Sequence, residues 1–128
     1  MITDEIFYSL QSANRELLKA ENELSRPHED VVTLSACNAI RNSMKQIMRL
    51  YLFAHSANPG INASLSDLLS DCIGINKAFS TVNVTSIECK DEDHKNCDGR
   101  YCLSVENVAG CLSAAGQLKS LVWKELKI

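Results

Sequence analysis

The sequence predicts an all-α protein, folded as an antiparallel up-and-down four-helix bundle with an irregular insertion before its last helix. The 128 residues include only five glycines and two prolines. These are too few turn-forming residues for a many-stranded sandwich or barrel. Apolar residues recur at alternating steps of three and four over long stretches, and this spacing lines one face of a helix. The length predicts a single domain over residues 1–128, large enough to bury a core.

The first helix is predicted to run from about Thr3 to Ser25. Thr3 is a suitable N-cap, and Asp4 and Glu5 are favourable beside the positive end of the helix dipole. Pro27 ends this helix because the residue before a proline is pushed out of the helical region. The predicted inner face comprises Ile6, Leu10, Ala13, Leu17, Ala20 and Leu24.

The second helix is predicted to begin at Pro27, since a proline in the first helical turn gives up no needed hydrogen bond. It should continue to about His55, before the helix-stopping run Asn58-Pro59-Gly60. Its predicted inner face comprises Thr33, Cys37, Ile40, Met44, Ile47, Met48 and Tyr51.

A short third helix should start at Ser64, because Ser64 and Asp67 have the spacing of a capping box. Its apolar residues are Leu65, Leu68, Leu69, Cys72 and Ile73. Residues 74–103 then form the predicted irregular loop, in which Val82 and Val84 alternate weakly enough to allow a short extended piece.

The last helix should run from a cap at Ser104 to about Leu126. Gly110 and Gly116 lie in its middle, where each glycine costs roughly 1 kcal/mol of helix propensity relative to alanine. We expect this cost to be offset by another helix packing closely against the small residues. The predicted inner face comprises Val105, Val108, Ala109, Leu112, Ala115, Val122, Trp123 and Leu126.

The net charge of −3, from 16 acids and 13 bases, argues against a generally basic nucleic-acid binder. RNA is therefore not indicated as a partner, although a local basic patch would still allow it. Residues 88–98 alone carry five acids and two lysines, so the rest of the chain balances at 11 acids and 11 bases. The acidity of one loop does not exclude an anion site on the helices.

The compartment is predicted to be the cytoplasm. The N-terminal residues lack the basic and apolar regions of a secretory signal. The most apolar stretch, Ile47 to Ala57, is interrupted by Arg49 and His55 and is shorter than the roughly 20 residues needed to span a bilayer. We expect no membrane partner and reduced thiols.

Six cysteines fall into two groups. Cys37, Cys72 and Cys111 lie on or near predicted apolar faces and are expected in the core. The other three share a loop with a histidine, and together they form a possible zinc donor set: Cys89, His94, Cys97 and Cys102. Their spacing lacks the close cysteine pair typical of structural zinc sites. A solvated loop without a cofactor is expected, with a zinc site as the alternative.

Arg41, Lys45 and Arg49 are spaced by four residues and border the apolar face of the second helix. Such a stripe can hold phosphate groups, with arginine donating a two-pronged hydrogen-bond fork. It is also typical of a solvated edge beside a core. Neither a phosphate-binding glycine loop nor a zinc-protease or nucleophile-elbow motif occurs.

The layout resembles the HEPN family (higher eukaryotes and prokaryotes nucleotide-binding domain). The second long helix ends in Leu50-Tyr51-Leu52-Phe53-Ala54-His55, and Ala63-Ser64-Leu65-Ser66-Asp67-Leu68-Leu69 is similar to the family's short third helix. Arg100-Tyr101 is similar to a pair that often precedes the family's last helix. The Ala-rich segment from Ser104 to Leu126 is similar to that last helix.

The resemblance implies one of two functions. Non-catalytic members bind nucleotides or assist partner proteins, often nucleotidyltransferases, and we expect this chain to be such a domain and a homodimer. Its expected ligand-binding residues are Arg41, Lys45, Arg49, Arg100 and Tyr101.

Catalytic members are metal-independent ribonucleases that use an arginine followed four to six residues later by a histidine. Arg49 and His55 match that spacing, but they precede the third helix, whereas the family's pair follows it. The catalytic pair therefore looks absent, and a ribonuclease acting through Arg49 and His55 is the alternative. A small zinc-stabilised interaction module is a further alternative.

Overall fold

The computed structural model describes residues 3–60, 62–82 and 105–127, and every regular element within them is helical. The predicted all-α class with four α-helices is confirmed. The helices are α1 (Asp4–Leu24), α2 (Thr33–Ala54), α3 (Leu65–Ile75) and α4 (Val105–Leu126), with short 3-10 turns at His28–Asp30 and Lys77–Thr81. No helix among these residues is both long and apolar enough to cross a membrane.

The start of α1 agrees with the sequence. The Ile6 amide donates to the Thr3 hydroxyl over 3.2 Å, so Thr3 is the N-cap. Asp4 and Glu5 occupy the first turn, where their charge is favourable. The residues that α1 buries are Leu10, Ala13, Leu17 and Ala20.

The predicted start of the second helix was wrong. Pro27 precedes only the 3-10 turn His28–Asp30, and α2 begins at Thr33. Val32 is extended, and its amide donates to the Glu23 carboxylate over 3.1 Å. The turn residues are exposed and polar, so no buried apolar face extends the helix back to the proline.

The end of α2 near His55 is as predicted, but the proline does not cause it. Ser56 adopts the left-handed conformation with φ 61°. Its amide donates to the Phe53 carbonyl over 3.0 Å, and the Ala57 amide donates to the Leu52 carbonyl over 2.8 Å. This pair of bonds is a Schellman motif, which closes the helix three residues before Pro59.

The predicted start of α3 is confirmed. The Asp67 amide donates to the Ser64 hydroxyl and the Ser64 amide donates to the Asp67 carboxylate, each over 3.1 Å. The sequence did not predict the 3-10 turn that follows, in which the Asn76 side chain caps the Ala78 amide. Val82 is buried but belongs to no strand, and Val84 lies outside the described residues.

α1 and α2 run in opposite directions and approach closely. The Ser43 hydroxyl, fully buried on α2, donates to the Ala13 carbonyl of α1 over 2.8 Å. The Gln46 side-chain amide donates to the Ser9 carbonyl over 3.2 Å. Residues later in α2 therefore contact residues earlier in α1, as in an antiparallel pair of helices. A side chain as short as serine reaches a neighbouring backbone only where two helices lie close together. The up-and-down order of the complete bundle stays a prediction.

The close packing predicted for the middle of α4 is not found among the described residues. A Cβ atom added to Gly110 or Gly116 would have no heavy atom within 4 Å in the described part of the chain. Ala109, assigned to the inner face, is exposed, whereas Leu118 is fully buried. The face that α4 does bury comprises Val108, Cys111, Ala115, Leu118 and Val122.

α2 is the central element, since it packs against α1, α3 and α4. Its position explains why ten of its residues are buried: Ala36, Cys37, Ala39, Ile40, Ser43, Met44, Ile47, Met48, Tyr51 and Leu52. The three other helices leave only a narrow outer surface of α2, on which its charged residues lie.

Candidate functional site

The basic stripe is the set Arg41, Lys45 and Arg49 on α2, and it holds all the charged residues of that helix. The 22 residues of α2 contain no aspartate or glutamate. All three side chains of the basic stripe are half-buried. Long basic side chains at half-buried positions commonly lay their aliphatic stems along apolar surface.

The spacing of the basic stripe follows from helix geometry. Four residues rise about 6 Å along the axis and turn slightly more than one full circle, so the stripe forms a slanting ridge. Gln46, which bonds to α1, marks the side of α2 that faces α1. The stripe starts on a different flank, where Asn38 and Asn42 are also exposed. α2 itself contributes no acid to this ridge.

Phe53 continues the ridge at the next four-residue step and is 48% exposed. It borders a groove of about 310 Å³ between the start of α1 and the end of α2. The residues lining this groove, which we call the Phe53 groove, are Thr3, Glu5, Ile6, Ser9, Leu50 and Phe53. The sequence prediction missed Phe53, although an aromatic residue continuing the spacing of 41, 45 and 49 was visible in the sequence.

Arg49 and His55, the alternative catalytic pair, lie on different parts of α2. Six residues separate them by roughly 120° around the helix axis and about 9 Å along it. His55 is exposed at the C-cap, with its ring centroid 4.5 Å from that of Tyr51. Tyr51 belongs to the buried face, so His55 lies against the core edge of α2 rather than on the ridge.

Tyr51 lies in an apolar cluster at the end of α2. Its ring centroid is 4.8 Å from that of Phe79, which is fully buried in the second 3-10 turn. Burial raises the pKa of the Tyr51 hydroxyl, and the negative charges of Glu125 and of an ionised Cys72 raise it further. Burial, helped by Asp71, raises the pKa of the Cys72 thiol to about 12. Both groups are therefore neutral at ordinary pH.

The predicted core positions of Cys37, Cys72 and Cys111 are confirmed, since all three are buried. The Cys72 thiol, whose pKa is raised by burial, is a poor nucleophile because the thiolate is the reactive form. All three cysteines are part of the buried core.

Several predicted site residues lie outside the described part of the chain. They are Arg100 and Tyr101 of the expected ligand site and the possible zinc ligands Cys89, His94, Cys97 and Cys102. Within residues 3–60, 62–82 and 105–127, no cluster of three or more histidine, cysteine or acidic side chains is placed to hold a metal. The zinc alternative stays a prediction, which metal analysis of the purified protein tests.

A second groove, of about 370 Å³, lies between the loop after α2 and the second half of α3. Its lining contains one charged residue, Asp71, and no base, so it does not suit an anion. The lining residues are Leu52, Ala57, Asn58, Pro59, Ser70, Asp71, Gly74 and Ile75. Of these two grooves, only the Phe53 groove adjoins the basic stripe.

Comparison with known proteins gave no matching protein family, no matching curated protein and no matching solved structure.

Proposed function

We propose that this protein is a non-catalytic, HEPN-like helical domain that binds a nucleotide or another anionic ligand through Arg41, Lys45 and Arg49. The observation that carries the proposal is the charge of α2. A 22-residue helix at the centre of a net-negative protein has three half-buried bases at four-residue intervals and no acid.

The chemistry of the stripe suits phosphate. Each arginine presents a planar fork of donors that matches two phosphate oxygens, and the lysine adds a compact positive charge. Partial burial of the stems restricts their motion, so less conformational entropy is lost when a ligand binds. Negative charge elsewhere on the chain is concentrated in residues 88–98, away in sequence from α2.

The resemblance to the HEPN family supports the finer parts of the proposal. It suggests that Arg100 and Tyr101 complete the site, with the arginine on a phosphate and the tyrosine stacked on a base. It also suggests a homodimer and a nucleotidyltransferase as protein partner. The location in the cytoplasm is proposed on a different basis, the N-terminal residues, which do not have the pattern of a secretory signal.

Calorimetric titration of the full chain with ATP, GTP and inorganic triphosphate tests the proposal. We expect binding that weakens as salt is raised, because a partly exposed charge pair is screened. Arg49→Ala should weaken it about tenfold, the usual effect of removing a hydrogen bond to a charged group. Arg15→Ala is the matched control, since Arg15 is an exposed arginine on α1 and its loss should leave the affinity unchanged.

Two results would contradict the proposal. One is the absence of heat with all three ligands at millimolar concentration. The other is an equal loss of affinity in the Arg15→Ala and Arg49→Ala proteins, which would assign the binding to overall charge rather than to the stripe.

A ribonuclease is the second candidate, favoured by the exposure of His55 at the end of α2. An accessible imidazole can exchange a proton with RNA as a general acid or base. Cleavage of a short RNA in the presence of a chelator, lost in the His55→Ala protein, would support it. Cleavage that survives His55→Ala would remove this candidate.

A further inference from the structure

The second groove, which we call the Asp71 groove, contains one unbalanced charge. Asp71 is exposed, and its carboxylate has no hydrogen-bond or ion-pair partner within residues 3–60, 62–82 and 105–127. The bases that flank the groove in sequence, His55 and Lys77, do not belong to its lining. No base of the lining therefore neutralises this acid.

Two helices end at the Asp71 groove. Gly74 and Ile75 are the last two residues of α3, and Leu52 lies in the last turn of α2. The C-terminal end of a helix carries a partial negative charge, so a base in its last turn is favourable. Neither α2 nor α3 has a base there. Both helix ends therefore add to the negative potential of the groove.

The position of Asp71 on its helix is unfavourable. Asp71 lies four residues before the end of α3, on the side of the helix dipole that repels an acid. Asp67, by contrast, lies in the first turn of the same helix, where it completes the capping box. Residues that break a local rule without an evident compensation are typical of functional positions. A cation bound at Asp71 would remove the conflict.

The shape and the walls of the Asp71 groove suit an organic cation. Its volume of about 370 Å³ is within the range for small-molecule sites. Leu52, Pro59 and Ile75 give it apolar walls, and Ile75 is 40% exposed. A hard metal cation such as Ca²⁺ takes several oxygen ligands, whereas this lining holds a single carboxylate. One acid beside apolar walls matches one positive charge on a hydrocarbon body.

We propose that the Asp71 groove binds a small organic monocation, an alkylammonium-type amine with its nitrogen at Asp71 and its hydrocarbon part over Leu52 and Ile75. Gly74 leaves room for the hydrocarbon, because a Cβ atom added there would have no heavy atom within 4 Å among the described residues. This site is separate from the basic stripe and takes a ligand of opposite charge, so it does not depend on the proposed anion-binding function.

The test compares probes that share one hydrocarbon chain. The full chain, labelled with ¹⁵N, is titrated at neutral pH with hexylamine, hexanol and hexanoate, and with a tripeptide that has a central lysine and blocked ends. We expect hexylamine to bind most tightly and to shift the amide signals of residues 57 and 70–75. Its affinity should fall as salt is raised, because salt screens a charge pair that is open to solvent.

Asp71→Asn removes the charge and keeps the size of the side chain. It should weaken hexylamine binding about fivefold, the effect of losing a favourable ion pair near a protein surface, and leave hexanol binding unchanged. Asp30→Asn is the matched control, since Asp30 is an exposed aspartate that does not line the groove. Its affinity for hexylamine should equal that of the unaltered protein.

Gly74→Leu tests the hydrocarbon part of the site. The new side chain should fill the groove and abolish hexylamine binding. Gly110→Leu is the matched control, because Gly110 is also a helical glycine with no close neighbour among the described residues and lies outside the lining. Circular dichroism checks that each variant is folded, and Asp71→Asn tests the proposal if Gly74→Leu does not fold.

Four results would overturn the proposal. Hexanol or hexanoate binding as tightly as hexylamine would show that the groove does not select a positive charge. Equal losses for Asp71→Asn and Asp30→Asn would assign the binding to overall charge. Hexylamine binding that survives in a folded Gly74→Leu protein would place the ligand elsewhere. Tighter binding of the tripeptide than of hexylamine would make the occupant a peptide rather than a small amine.

Discussion

Two helices of equal length behave differently in this protein. α2 and α4 each have 22 residues, yet α2 buries ten of them and α4 only five. The charges of α2 are three bases, whereas α4 balances two bases, Lys119 and Lys124, with two acids, Glu106 and Glu125. A central helix packs against three other helices, so its polar residues are confined to a narrow surface. On α2, all the charged residues on that surface are bases. A peripheral helix has no such constraint.

The largest expected effect is on the core of α2. Ile40 is fully buried, so Ile40→Ala should lower the free energy of unfolding by about 2–5 kcal/mol through lost burial and a cavity. Leu121 of α4 is only half-buried, so Leu121→Ala should lower the free energy of unfolding by less than Ile40→Ala does. Denaturant unfolding measures both. Equal losses would break the contrast between a central and a peripheral helix.

The next effect is on alkaline stability at the end of α2. The folded-state pKa of Cys72 is about 12, above its ordinary value of 9.0, and that of Tyr51 is also raised. Above pH 9 the unfolded chain releases the thiol proton while the folded chain keeps it. Stability is therefore full below pH 9 and falls above it, at up to about 1.4 kcal/mol per pH unit for one proton.

Unfolding in denaturant at pH 8, 9 and 10 measures this slope, and Cys72→Ala should reduce it. The Glu125→Gln protein should titrate Tyr51 at a lower pH than the unaltered protein, because Glu125 on α4 helps to raise the tyrosine pKa. A stability that is flat from pH 8 to 10 would be inconsistent with a buried, neutral Cys72.

The third effect concerns the glycines of α4. Gly110→Ala and Gly116→Ala should each raise the free energy of unfolding by about 1 kcal/mol, because alanine is the better helix former and described neighbours leave space for its methyl group. Thermal unfolding of the two single variants and the double variant measures the gain. A loss of stability would show that something packs against α4 at these glycines after all.

The smallest expected effect is a difference in stability between glycine variants at the C-terminal ends of α2 and α4. Both α2 and α4 are followed by a non-glycine residue with positive φ, Ser56 at 61° and Lys127 at 58°. Glycine accepts this conformation without a Cβ penalty, so Ser56→Gly should stabilise the protein by up to about 1 kcal/mol. Lys127→Gly should gain less, since it also removes a cation that is favourable at a helix C-terminus.

Chemical denaturation resolves this difference, with Ser56→Ala as the control that keeps a Cβ and should be nearly neutral. A larger gain at Lys127 than at Ser56 would show that the end of α4 is the more strained of the two.

Much of the local structure was predictable from short-range signals. Thr3 caps α1 and the Ser64–Asp67 box starts α3 as predicted, because capping depends on residues within three positions of each other. The start of α2 was not predictable in this way. The residue before it, Val32, donates its amide to the Glu23 carboxylate, nine residues earlier in the chain.

Of the candidate site, the sequence indicated the basic stripe but not the Phe53 groove. The four-residue spacing of Arg41, Lys45 and Arg49 is a property of one helix and can be read along the chain. The groove needs the start of α1 to lie beside the end of α2, with Glu5 near Phe53. No local pattern predicts how two segments nearly fifty residues apart pack.

By itself, the sequence determined the helical class, the N-caps of α1 and α3 and the periodic face of α1, because these depend on neighbouring residues and on helix geometry. Only the tertiary structure decided which small residues lie at a close helix contact. That contact is Ser43 against the Ala13 backbone, while Gly110 and Gly116 of α4 have no close neighbour among residues 3–60, 62–82 and 105–127. Small side chains permit close approach, but the approach itself depends on which helices the whole core brings together.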